Sequence, residues 1–125
     1  MREIKFRAWD KKISKMYEVS WLVFPCPGEN GFVFGHFRED GLAEATELEE
    51  KYIEVMQYTG LKDKNGKEIY EGDLVKCEAL SLVSEVVFSM GRFMLKSGEE
   101  LYLLGENRLE VIGNIYENPE LKEQQ

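Results

Sequence analysis

Apolar and polar residues alternate along most of this chain. Over residues 2–9, Ile4, Phe6 and Ala8 fall on one side, and Lys5, Arg7 and Trp9 on the other. A period of two is that of a strand with one face buried. Asp10-Lys11-Lys12 reads as a turn and Met16-Tyr17-Glu18-Val19 as the returning strand of a hairpin. Trp21 to Phe24 is a third apolar run. It stops at Pro25-Cys26-Pro27-Gly28, where two prolines remove backbone donors. Phe32 to Phe37 follows an Asn30-Gly31 turn signal, and the changed spacing of its phenylalanines around Gly35 predicts a bulge there.

Residues 38–51 differ in kind. Leu42 to Lys51 has helix-forming composition, with Leu42, Ala45 and Leu48 three apart. It reads either as a short helix or as a mobile acidic loop, and as a connector between two sub-lobes, 1–37 and 52–117, of one domain covering residues 1–125. Alternation resumes at Tyr52 to Tyr58. Further strands are expected at Leu74–Cys77, Leu82–Phe88, Arg92–Lys96, Glu100–Leu104 and Leu109–Tyr116. Between them Asn65-Gly66 is the strongest turn signal, predicting positive φ at both residues. Short strands at close spacing predict a mainly β protein with some α+β character. Its C-terminal part should be a small, bent antiparallel sheet or SH3-like barrel, and its N-terminal part a β-hairpin layer. The polar tail from Asn118 is expected to fray.

Composition narrows the class. Charged residues make up 32% and hydrophobic ones 43% of 125 residues, as in a globular domain with its own core. Net charge is −8, and both halves are acidic: residues 1–60 carry 8 basic and 11 acidic side chains, residues 61–125 carry 8 and 13. Such a chain repels nucleic-acid phosphates unless a local basic patch overrides the field. The opening MREIKFRAWD has no apolar run of signal-peptide type, and no segment approaches membrane-span length. Cys26 and Cys77 match no disulfide framework and are expected as free thiols. Together these features predict a cytoplasmic protein without a membrane partner.

Gln57 to Val75, QYTGLKDKNGKEIYEGDLV, closely resembles the signature of the YopX family of phage and prophage proteins. Arg2 to Asp10 with Lys15-Met16-Tyr17 is similar to that family's opening, and Glu110 to Leu121, EVIGNIYENPEL, to its ending. The resemblance implies a small β-rich phage or prophage protein of uncharacterised function in a bacterial host, and it makes self-association plausible. It implies no catalytic residue and no cofactor.

Candidate chemistry is sparse. The signature residues Gly60, Asp63, Asn65, Gly66, Tyr70, Gly72 and Asp73 read first as turn and strand-entry positions, with Ile69 and Tyr70 anchoring the bend, and second as a binding loop. Gly72-Asp73-Leu74-Val75 resembles the entry to SH3-like barrels, where an acidic residue caps the turn. A calcium loop starting at Asp63 fails at Lys67, Glu68 and Leu74. A zinc site would need Cys26, His36 and Cys77, which lack the required spacing. His36 is the only histidine and stands by no recognisable nucleophile. The one basic and aromatic stripe, Lys5, Arg7 and Trp9, is a candidate nucleic-acid-binding face, although the acidic balance favours a plain solvated strand. The expectation is a non-enzymatic protein, without cofactor or metal, acting by protein binding or self-association. A nucleic-acid-binding module using the N-terminal face is the alternative.

Overall fold

In the computed structural model, which describes residues 3–23, 33–37, 40–47, 52–78, 82–104 and 108–124, the chain is built of antiparallel strands. The mainly β expectation is met. Among the described residues the only helical segment is a 3-10 turn, Pro119–Gln124. The strands divide between two compact units, Lys5–Met56 and Gln57–Gln125 with Met1–Ile4. The division falls inside a strand, not in residues 38–51.

In the unit Lys5–Met56, β1 (Phe6–Asp10) and β2 (Lys15–Val19) form the expected hairpin, paired from Phe6 with Val19 to Asp10 with Lys15. A small core joins Ala8 and Ile53, with Tyr17, Val19, Leu22, Tyr52 and Val55 packed around them. A second sheet runs in the order β3 (Trp21–Val23), β4 (Val33–Phe37), β5 (Ala43–Glu47). Here two sequence expectations are corrected. Residues 43–47 are neither helix nor connector: they are an edge strand against β4, from Val33 with Glu47 to Phe37 with Ala43. Sheet pairing outweighs the helical propensity of so short a segment. Nor does Gly35 carry a bulge, since pairing is continuous through it on both sides. The glycine makes room instead: a Cβ there would stand 1.8 Å from Trp21 Cε2, the ring lying across from it in the register.

β6 (Ile53–Lys62) runs on into the second unit. There it pairs with β7 (Glu68–Tyr70), through Tyr58 with Tyr70 and Lys62 with Glu68. The register shifts between those pairs, where Gly60 takes a φ of 87°. The remaining strands are β8 (Asp73–Cys77), β9 (Val83–Ser89), β10 (Arg92–Ser97), β11 (Glu100–Leu103) and β12 (Leu109–Asn114). They form one curled five-stranded sheet in the order β11-β10-β9-β8-β12. Ile69, Val75, Val86, Leu95 and Leu109 make its core.

The turns depart from the sequence reading in an instructive way. Gly66 has the predicted positive φ of 83°, but Asn65 does not share it. Asp63 accepts from Gly66 N, and Asp63 N donates to Lys67 O, so the turn at 63–67 ends on one left-handed glycine. The two-residue turn with positive φ at both positions is Met90-Gly91, at 52° and 77°, between the paired Ser89 and Arg92. A methionine in the left-handed region crowds its own carbonyl at a cost of about 1–2 kcal/mol, whereas asparagine tolerates it. Met90→Asn should therefore raise the unfolding free energy by about 0.5–1 kcal/mol. An unchanged urea midpoint would show that the turn relaxes to accommodate methionine.

The tail also departs from expectation, because it is held rather than frayed. Asn114 Oδ1 accepts from Tyr116 N at 3.0 Å and Glu117 N at 2.8 Å, folding the chain back after β12. Asn118 N donates to Asn114 O, and Lys122 Nζ reaches Glu85 Oε1 on β9 at 2.8 Å. Gly113 is needed for this approach, since a Cβ there would lie 2.5 Å from Asn118 Oδ1.

Candidate functional site

The signature segment forms a hydrogen-bonded fastening, and Asp63 is its centre. β6 delivers Asp63 to the start of the β6–β7 connection, 8% exposed. Its Oδ1 accepts from Asn65 N at 2.8 Å and Lys67 N at 2.9 Å, which ties the loop to itself. Its Oδ2 accepts from Val111 N at 2.9 Å, which ties the loop to β12. Lys64 N donates to Leu109 O beside it, so the loop covers an edge of the five-stranded sheet that would otherwise present unpaired amides. Burial alone would raise the Asp63 carboxyl. The amides of Val111, Lys67 and Asn65, with the Lys67 charge, outweigh it and hold the group below its ordinary value.

The neighbouring signature residues continue the network. Asp73, 1% exposed, accepts from Tyr70 N at 2.8 Å, capping the turn into β8. Gly72 N donates to Val86 O and Gly72 O accepts from Ile115 N, so the turn at 71–72 is held by β9 and by the end of β12. The rings of Tyr58 and Tyr70 lie 5.5 Å apart, tilted by 39°. Thr59, to which the sequence drew no attention, donates Oγ1 to Ile69 O at 2.8 Å and accepts from Leu61 N. Asn65 and Gly66 thus gather on Asp63 at one end of the β6–β7 hairpin, and Tyr70 gathers on Asp73 beside Gly72 at the other, with Gly60 in β6 between them. Both oxygens of Asp63 point at backbone amides, an arrangement that fixes a loop and leaves neither oxygen facing a cleft.

The stripe Lys5, Arg7 and Trp9 is not an open face. β1 lies between β2 and β6, and Trp9 is 7% and Ala8 0% exposed, while Lys5 and Arg7 are half-buried. Alternation failed here because a central strand can be covered on both sides, and it leaves Trp9 little ring surface on which a base could stack. Ile4, expected on the covered face, is 63% exposed. His36 is buried, with a tyrosine and a glutamate among its neighbours. Its ring lies 4.4 Å from that of Tyr17, and its Nε2 is 3.8 Å from Glu44 Oε2. Burial first, then the charges of Asp10 and Glu44, raise the Tyr17 hydroxyl above its ordinary pKa. Cys77 is a free thiol packed against the larger core; Cys26 lies outside the described residues. No group of three or more metal-ligating side chains stands together among the described residues. No helix among them is long and apolar enough to cross a membrane.

Exposed apolar residues recur elsewhere, on β9, in the β9–β10 turn and on β11. Phe88 is 56%, Met90 75%, Leu101 38% and Leu103 60% exposed. The ring of Phe88 meets Phe93 edge to face at 5.2 Å. Beside them lies an open cleft of about 500 Å³ lined by Val87, Phe88, Ser89, Lys96, Gly98, Glu99 and Leu101. Pairing of Met94 with Val87 and Leu103, and of Lys96 with Glu85 and Leu101, puts Val87, Met94, Lys96, Leu101 and Leu103 in rows on one face, while Phe88, paired with Phe93, alternates to the other. Leu101 and Leu103 alternate out of an edge strand, the only sequence signal for this surface.

The model of the family described as YopX protein matches residues 5–123. A crystal structure of protein EF1440 from Enterococcus faecalis superimposes with a TM-score of 0.70 at 30% identity, covering 98% of this chain and 99% of that one. The X-ray structure of protein yopX from Bacillus subtilis superimposes with a TM-score of 0.67 at 24% identity, covering 97% and 96%. No curated protein matches the chain.

Proposed function

The chain belongs to the YopX family, and on that premise we propose that it is a phage or prophage accessory protein, cytoplasmic in a bacterial host, that works without catalysis by binding protein, either another chain or a second copy of itself. The observation that carries this reading is the apolar surface on β9–β11. Single exposed hydrophobics are ordinary, but Leu101 and Leu103 stand on one face with the half-buried Val87 beside an open cleft, and Met90 in the β9–β10 turn and Phe88 on β9 are exposed as well. Exposed apolar groups gathered in this way mark interaction sites more often than bare surface. The commitment of the Asp63 carboxylate to backbone amides and the burial of His36 support the non-catalytic part.

The test compares the parent chain with a Met90→Asp, Leu101→Asp double variant. Both side chains are exposed, so stability should change by less than about 1 kcal/mol. Affinity capture from the bacterial host identifies another chain, and light scattering over a concentration series detects a second copy. The parent should bind one of these and the variant neither. Association that the variant retains, or no association by the parent in either assay, would overturn the reading.

A further inference from the structure

The partner's chemistry can be read from the charges on that same face, an inference that rests on the protein-binding proposal. Alternation along β10 places Arg92, Met94 and Lys96 on one side of the sheet, with Leu101 and Leu103 beside them on β11. Arg92 and Lys96 are exposed, and among the described residues neither has a hydrogen-bond or ion-pair partner. For Lys96 this is not for want of a neighbour. Glu85 stands directly opposite in the register, yet its carboxylate is taken by Lys122 at 2.8 Å. At the β10–β11 turn, Glu100 accepts a hydrogen bond from the Tyr102 hydroxyl. Two uncommitted cations, Arg92 and Lys96, therefore stand on the face of the apolar strip against one carboxylate, Glu99, in the cleft lining, on a protein whose net charge is −8.

We propose that the cleft between β9 and the β10–β11 turn receives a peptide segment of a partner protein in which an apolar side chain stands next to one or two carboxylates. The apolar side chain would lie over Val87 and Leu101, and the carboxylates would meet Lys96 and Arg92 on the same face. A cleft of about 500 Å³ is the size of a small ligand or a few residues, and complementary charge at its rim sets which sequences dock there. A polyanion fits less well. Aliphatic Val87 and Leu101 offer a base no stacking surface, and the acidic remainder of the chain repels a continuous phosphate backbone, whereas a short segment brings its charges only to the two cations.

The full-length chain, selected against a random dodecapeptide library, should enrich peptides with Asp or Glu beside Leu, Ile, Met or Phe. On the nitrogen-15-labelled protein the enriched peptides should shift the amides of Lys96 and Leu101. An Arg92→Glu, Lys96→Glu variant should weaken them about tenfold or more, and peptides with Lys in place of the acidic residues should recover affinity for that variant. Overlaid amide spectra of parent and variant verify that both are folded. Enriched peptides that map to the cleft but are neutral or basic would overturn this inference and leave protein binding at the face intact. Peptides that map elsewhere, or no enrichment, would overturn it together with the docking face. A 20-base single-stranded DNA that bound the parent tightly, shifted the same amides and was lost in the variant would overturn it in favour of nucleic acid.

Discussion

Asp63→Asn should lower the unfolding free energy by about 3 kcal/mol. The amide has nearly the carboxylate's shape, so the effect isolates hydrogen bonding from packing. The carboxylate accepts from three backbone amides, of Asn65, Lys67 and Val111. Asparagine has one acceptor oxygen, and its NH₂ must then face the Val111 amide or the Asn65 and Lys67 pair. At least one buried donor loses its acceptor and meets another donor. An unsatisfied buried donor costs about 1–3 kcal/mol, and bonds to a charged acceptor are each stronger than neutral ones. The effect also has a pH signature. The folded carboxyl is held below its ordinary value of 3.8, so its contribution is complete above that value and fades as pH falls through the depressed folded one. Urea unfolding should therefore show the gap between parent and variant at its full size at neutral pH and shrinking below about pH 4. A neutral-pH gap under about 0.5 kcal/mol, below the range of a single lost cap, would show that the loop is held by something other than this carboxylate.

Ile69→Ala should cost as much or more, about 3–4 kcal/mol. Ile69 sits on β7, a strand of three residues, and is 1% exposed against Val75, Val86, Leu95 and Leu109. So short a strand has few ladder bonds of its own. Its place depends on this side chain and on the bond from Thr59 Oγ1 to the Ile69 carbonyl. Truncation leaves a cavity whose walls belong to four strands paired with their own neighbours, so collapse around it is limited. The denaturation midpoint should fall with the denaturant slope unchanged. A loss below about 1 kcal/mol, the size of a single methylene change, would mean that β7 shifts to fill the space.

The strands from β8 to β12 were legible because each couples alternation to a turn residue, whereas the three-residue β7 was read only as the anchor of a bend. Leu74–Cys77, Arg92–Lys96 and Glu100–Leu104 were placed within a residue or two of the observed bounds. What alternation cannot convey is which strands are covered on both sides, and so Trp9 was read as open when β1 is central. Composition misled at residues 43–47, where Ala and Glu favour helix but a neighbouring strand supplies the hydrogen bonds. The signature loop was legible as a turn at Gly66. The reach of Asp63 to Val111, forty-eight residues on, was not, because no local pattern encodes a bond between distant segments. The Asn114 corner carried a usable signal in Asn-Ile-Tyr-Glu, since asparagine readily accepts from amides two and three residues on. The β9–β11 face escaped notice because exposure is a property of the assembled sheet, not of Leu101 or Met90 taken singly.

Val111 ends one side of a sheet by giving its amide to a side chain instead of to another strand. In deuterated water that amide can be released whenever the loop lifts, with β8 and β12 still paired beside it. Its protection therefore reports the opening of the 63–67 loop alone, and the amide of Lys64, bonded to Leu109 O, should exchange in step with it. Amides in the middle of β9, bonded to strands on both sides, wait for the whole unit to unfold. The family signature is thus a latch whose free energy can be read, residue by residue, apart from that of the sheet it closes.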